Sequence, residues 1–223
     1  MAQSRENLSV ETFRPEKDQF EHKAWKNDAL VCGIDEAGRG ALAGHLVAAA
    51  VILPPKTTFP LLKDSKLLTP KQRLEAFTWI NRHCFWSIGV ATADEIDTIN
   101  VYKATQKAML RARGQLLAFY PNLFSHISFF LVDAVPLTSL QPHIPFISYP
   151  KGEYWSSSIA AASIVAKVTR DATMYSIDSL MGHYRLGAHK GYGTLEHRKA
   201  LALHGHSLIH RKSFRINYAS SCT

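Results

Sequence analysis

Apolar residues in this chain come in short runs separated by polar stretches of helical period. Ala29-Leu-Val-Cys-Gly-Ile34 and Gly44-His-Leu-Val-Ala-Ala-Ala-Val-Ile-Leu53 are too apolar for exposed loops and predict two buried strands. Asp64-Ser-Lys-Leu-Leu-Thr-Pro70 predicts a loop ending on an N-cap Thr69, with Pro70 at the first helical position and a helix to about Arg82. Residues 85–91 read as a third strand. Over 93–120, Ile99, Tyr102, Met109, Leu116 and Tyr120 recur at helical intervals, which predicts one long helix behind a short one. Ile127-Ser-Phe-Phe-Leu-Val-Asp133 repeats the strand pattern and ends on a carboxylate. A short strand is expected over 143–149. Residues 156–171 predict a serine-capped helix whose small side chains suit close packing on a sheet. Strands separated by helices indicate an α/β layer fold, and ligands in such sheets gather at the strand ends.

Composition narrows the class of protein. With 223 residues and 46% hydrophobic content, the chain can bury one substantial core, expected over residues 29–218. Residues 1–28 mix five cations with six acids, show little apolar period, and predict a loosely structured extension; 219–223 is a short tail. A formal charge of +8 favours a polyanionic partner. That charge is concentrated over 182–215, which holds seven Lys or Arg, six His and one acid, Glu196. Cys32, Cys84 and Cys222 lack paired metal spacing, and no apolar leader is visible, so a reducing cytoplasm is expected. The apolar run near 46–53 falls far short of the roughly 20 residues that cross a bilayer, so no membrane role is expected.

Candidate chemistry centres on Cys32-Gly-Ile-Asp-Glu-Ala-Gly-Arg-Gly40. A lone Asp-Glu pair is commonly just a solvated turn, but Asp35 and Glu36 lie where two core strands meet. Carboxylate oxygens suit hard cations such as Mg²⁺ and Mn²⁺, and the glycines let backbone amides and Arg39 approach a phosphate closely. Metal-assisted phosphodiester hydrolysis uses one ion to activate water and another to stabilise the leaving oxygen, held about 3.5–4 Å apart. Asp35 is the best bridging candidate, with Glu36, Asp133 and Glu153 completing a set drawn from separate segments.

Gly33-Ile-Asp-Glu-Ala-Gly-Arg-Gly40 resembles the signature of the ribonuclease HII family. Further matches follow in family order: Asp64-Ser-Lys66, Leu131-Val-Asp-Ala134, Lys151-Gly-Glu153, the helix from Ile159 to Asp171, His189-Lys-Gly-Tyr-Gly-Thr194 and His210-Arg-Lys-Ser-Phe214. The resemblance implies an RNase H-like fold, a mixed β-sheet flanked by helices with a C-terminal helical part. It also implies cleavage of RNA in RNA–DNA hybrids and incision at ribonucleotides embedded in duplex DNA, with two Mg²⁺ or Mn²⁺ ions.

Carried over by position, Asp35, Glu36 and Asp133 match the acidic metal positions, and Glu153 stands where the family usually has Asp. Gly38, Arg39 and Gly40 match the turn that reads the junction between a ribonucleotide and DNA, and Tyr192 the tyrosine that packs on the adjoining deoxyribose. Lys66, Lys167 and Lys190 are expected phosphate contacts, and Asp171 a supporting residue. Leu67 replaces a frequent Lys, and Ala41, His45, His206 and Leu208 replace prolines. The alternatives are a ribonuclease HIII-like enzyme confined to longer hybrids, or a noncatalytic nucleic-acid-binding module. No clamp-binding peptide is recognisable at the C-terminus, and a monomer is the simplest expectation.

Overall fold

The structure is a computed structural model that describes residues 16–137 and 144–215. In chain order its elements are α1 (Gln19–Trp25), β1 (Leu30–Ala37), β2 (Leu46–Ile52), α2 (Pro70–His83), β3 (Phe85–Ala91), α3 (Ala93–Ile99), α4 (Val101–Phe119), β4 (Ile127–Asp133), β5 (Phe146–Tyr149), α5 (Gly152–Trp155), α6 (Ser157–Asp178), α7 (Leu186–His189) and α8 (Leu195–His204).

The composition of β2 shows how the layers assemble. All seven of its residues are buried. Leu46, Ala48, Ala50 and Ile52 face one way, into a core shared with Ala108, Met109 and Leu116 of α4. Val47, Ala49 and Val51 face the other way, against Ala161, Ile164 and Val165 of α6 and Ile80 of α2. A strand that is apolar on both faces must be covered on both, so the sheet lies between α4 and the α2–α6 layer. Gly33 sets the second contact: a Cβ there would lie 2.1 Å from the Ser158 carbonyl carbon. The start of α6 thus rests directly on the β1 backbone, an approach only glycine permits.

The strand order is β3-β2-β1-β4-β5. β1 pairs antiparallel with β2 and parallel with β4, and β4 pairs parallel with β5. The parallel register sets Ile34 beside Val132, so Asp35 and Asp133, one residue further on, emerge at the same edge of the sheet. The expected strands and the α3–α4 division match the structure. Thr69 forms a full capping box with Gln72, and the break at Asn100 has a φ of 67°. Helix α6 continues seven residues beyond the expected Asp171. β1 runs on through both carboxylates, because Asp35 and Glu36 pair with Ala49 and Ala48 across the ladder.

The stretch expected to be loose over 1–28 needs correction in its described part. Helix α1 packs Phe20 against Phe129 and Tyr149 and buries Ala24. Its carboxylates meet the start of α6: Asp18 accepts from the Ser157 amide at 2.6 Å, and Glu21 from the Ser158 amide at 3.2 Å. Negative groups at a helix N-terminus satisfy its free amides and its dipole. Seven residues are too few to display a helical period in sequence. Residues 1–15, the 219–223 tail and His143 lie outside the described residues.

Candidate active site

Asp35 and Glu36 lie in the last rungs of the β1 ladder before Ala37, Asp133 ends β4, and Glu153 enters from α5. Asp35 is only 6% exposed, and its Oδ1 accepts the Glu36 amide at 2.7 Å. Asp133 Oδ1 accepts the Gly152 amide at 2.7 Å, which ties the strand end to α5. Burial pushes the Asp35 carboxyl well above its ordinary range, and Glu36, Asp133 and Glu153 push it further. Burial raises Glu36 to about 7, with Arg39 opposing and Asp133 adding to the rise. Asp133 and Glu153 are also raised, first by burial; Asp133 then adds to the rise at Glu153. Four acids crowded in this way are short of positive charge.

Among the described residues, no three Asp, Glu, His or Cys side chains surround a common point at ligand distance in this conformation. The donor set still fits a hard cation, since every donor is a carboxylate oxygen. Glu36 Oε2 and Glu153 Oε2 are moreover buried with no hydrogen-bond partner among the described residues.

The acids open into a cleft of about 420 Å³ that is also lined by Gly38, Arg39, Gly40, Lys66, Lys167 and Tyr192. Gly38 has a φ of 93°, and a Cβ there would lie 2.0 Å from Arg170 Nε. Gly40 differs, because a Cβ there would meet nothing within 4 Å. The missing side chain at Gly40 leaves room on the cleft side of the turn, while Gly38 is needed for the fold beneath it.

Two fully buried arginines brace that turn. Arg170 donates to the carbonyls of His45, Ala43 and Lys190 at 3.1, 3.2 and 2.9 Å. Arg211 donates to the carbonyls of Gly44 and Arg39 at 3.0 and 2.9 Å. Burial and the neighbouring Arg170 push Arg211 down to about 10. Above them, Lys167 and Arg170 stand 5.7 and 5.2 Å from the centre of the Tyr192 ring.

A buried imidazole chain supports the same wall, and its proton positions follow from its partners. The Ser207 amide donates to His210 Nδ1 at 3.0 Å, so the proton of neutral His210 sits on Nε2. His210 Nε2 therefore donates to His197 Nε2 at 3.0 Å, and His197 Nδ1 donates to the Tyr192 carbonyl at 3.0 Å. Burial pushes both pKa values down to about 4, helped by His189 and His206 at His197 and by His197, His206 and His189 at His210, in keeping with a neutral chain.

The structure therefore gathers most of the expected residues, with three exceptions. Glu153 lies outside the cleft lining but is buried behind it, 3.9 Å from Lys66 Nζ. Lys190 lines a neighbouring groove, where its ammonium donates to the Gly187 carbonyl and lies 3.7 Å from the Tyr175 ring centre. Asp171 lines that groove too, and pairs with Lys167 at 2.9 Å. Sequence reasoning missed the roles of Ser65 and Ser163, bonded to each other at 2.9 Å in the cleft wall, and of Arg170, Arg211, His197 and His210. Nothing in spacing distinguishes a buried arginine from a solvated one.

A mixed sheet of this order, flanked by helices and ending in carboxylates on neighbouring parallel strands, is that of an RNase H-like hydrolase. The family profile for ribonuclease HII matches residues 32–217. The ribonuclease HII of Desulfitobacterium hafniense (strain DSM 10664 / DCB-2) is 46% identical over 196 residues, spanning 87% of this chain and 72% of that protein. That of Geobacter sulfurreducens is 46% identical over 202 residues, spanning 88% and 87%. Among solved structures, the ribonuclease H2 of Pyrococcus horikoshii OT3 superposes with a TM-score of 0.65 at 25% identity, covering 83% of this chain and 93% of that one. The chain belongs to the ribonuclease HII family and is a nuclease.

Proposed function

We propose that the chain is a metal-dependent endoribonuclease that cuts the RNA strand of RNA–DNA hybrids and incises duplex DNA on the 5′ side of an embedded ribonucleotide. The products carry a 3′-hydroxyl and a 5′-phosphate. The observation that carries this reading is the meeting of Asp35, Glu36 and Asp133 in one cleft with the Gly38-Arg39-Gly40 turn and Tyr192.

Asp35, Glu36 and Asp133 are the residues that would hold two Mg²⁺ or Mn²⁺ ions, and Glu153 stands close enough behind Asp133 to orient it or to join them. When bound, such ions supply an acidified water and charge stabilisation at the leaving oxygen. Asp35, buried between its acidic neighbours, is best placed to be shared. Arg39 and the turn amides face the phosphate, and the open space at Gly40 lets a ribose press against the backbone, where its 2′-hydroxyl can be recognised. Tyr192 offers a half-buried ring to the next sugar. Lys66 and Lys167 neutralise flanking phosphates.

End-labelled duplex DNA containing one ribonucleotide, incubated with Mg²⁺, Mn²⁺ or EDTA beside an RNA–DNA hybrid, tests the reading. Metal-dependent incision 5′ to the ribonucleotide is expected. Cutting of the hybrid alone would contradict the junction role, and binding without cutting would contradict the nuclease mechanism.

A further inference from the structure

We propose that the lysine-lined groove beside Glu153 is a second binding site for nucleic-acid backbone, which receives phosphates of the substrate duplex beyond the acidic cleft. This rests on the nuclease reading above and extends its footprint.

The groove has a volume of about 610 Å³ and gathers Lys17, Lys63, Lys66 and Lys151 against two acids, Asp64 and Glu153. Lys63 and Lys151 form no ion pair with any described residue. Lys17 reaches Asp18 only at 3.8 Å, and that carboxylate is already bound to the amide and hydroxyl of Ser157. Three lysines from separate segments therefore line the groove without a dedicated partner. Tyr154, 67% exposed on the groove wall, adds a ring on which a base or sugar can rest.

Continuity with the cleft identifies the occupant. Lys66 lines both the groove and the acidic cleft, and Lys167 lines both the cleft and the groove of Arg73 and Lys190. The acidic cleft is thus continuous with two grooves in which lysines and arginines outnumber the acids Asp64, Glu153 and Asp171. A small anion has no need of such a track, whereas a duplex crossing the cleft places backbone phosphates on either side of the cut. Lys17 precedes the family-matched residues 32–217, so the segment carrying α1 contributes to substrate binding.

The test compares wild type with the triple variant Lys17→Ala, Lys63→Ala, Lys151→Ala, which leaves Lys66 in place. Substrates are duplexes with one ribonucleotide and long DNA arms, and versions with either arm cut short. On the long duplex, KM is expected to rise about tenfold with kcat within about twofold, and the salt dependence of binding to weaken by about 0.9 in log–log slope per lost phosphate contact. Shortening the arm that crosses the groove should abolish the difference, while shortening the other should not. Equal KM and equal salt slope on the long duplex would overturn the proposal. Fluorescence anisotropy with uncut, metal-free duplex reads the groove independently of turnover. A wild type that binds the long duplex through these lysines but never cuts at the ribonucleotide would overturn the nuclease reading and leave the groove standing.

Discussion

The acidic edge and the wall that faces it are built by different means. Asp35 and Asp133 stand on neighbouring strands, so the backbone ladder fixes their positions before any side chain is considered. The Gly38–Gly40 turn and Tyr192 have no such ladder. Beside short-range backbone bonds, side chains hold carbonyls there: Arg211 that of Arg39, His197 that of Tyr192, and Arg170 that of nearby Lys190. On the proposed function, chemistry is anchored to the sheet and selection to a wall braced by buried cations and imidazoles. A group held by the ladder is expected to fail through its own chemistry, whereas one held by side chains can be loosened in steps.

The largest effect is expected at the ladder-held edge. Asp35→Asn keeps the shape of the side chain but removes a carboxylate that would be shared between ions. Turnover should fall on the order of a thousandfold on both the hybrid and the embedded ribonucleotide, with duplex binding retained. Single-turnover rates beside anisotropy check this. Near-normal cutting by a folded Asp35→Asn protein would remove the acids from the account.

A smaller effect is expected where imidazoles hold the opposite wall. His197 and His210 titrate near 4 in the folded protein against an ordinary value of 6.5. Between these values the unfolded chain binds more protons, so their contribution is full above about pH 6.5 and is lost as pH falls toward 4. It should shrink by on the order of 2 kcal/mol per imidazole between pH 7.5 and 5. Protonation of either ring also breaks the chain: on His197 it sets a second proton at Nε2 against the His210 Nε2–H, and on His210 it sets one at Nδ1 against the Ser207 amide. Urea unfolding across this range measures the loss, and His210→Asn should flatten it. An unchanged slope in that variant would place the titration elsewhere.

The same division explains what the sequence disclosed. Strand ends were readable because Ile127–Asp133 and the run before Asp35 are apolar until a carboxylate interrupts them. The residues of the turn were readable because glycine leaves few alternatives. The braces were not. Arg170 lies in a helix rich in small residues and reads as an exposed cation, yet it is 0% exposed. Its burial depends on carbonyls contributed by residues more than a hundred positions away. Helix α1 was hidden for a related reason, since Asp18 and Glu21 look like solvated acids until α6 presents its free amides. Lys190 shows the opposite failure: a cation two residues before Tyr192 in sequence turns toward Tyr175 instead.

The most direct test of this division uses Gly40→Ala, because the added methyl meets no protein atom within 4 Å and only an incoming sugar could feel it. The quantity to measure is the ratio of kcat/KM for a lone embedded ribonucleotide to that for a long RNA–DNA hybrid, with the melting temperature alongside. The melting temperature should be unchanged and the ratio lowered about tenfold or more, equivalent to about 1.4 kcal/mol of lost discrimination. An unchanged ratio in the folded variant would contradict the assignment of this turn to ribonucleotide selection.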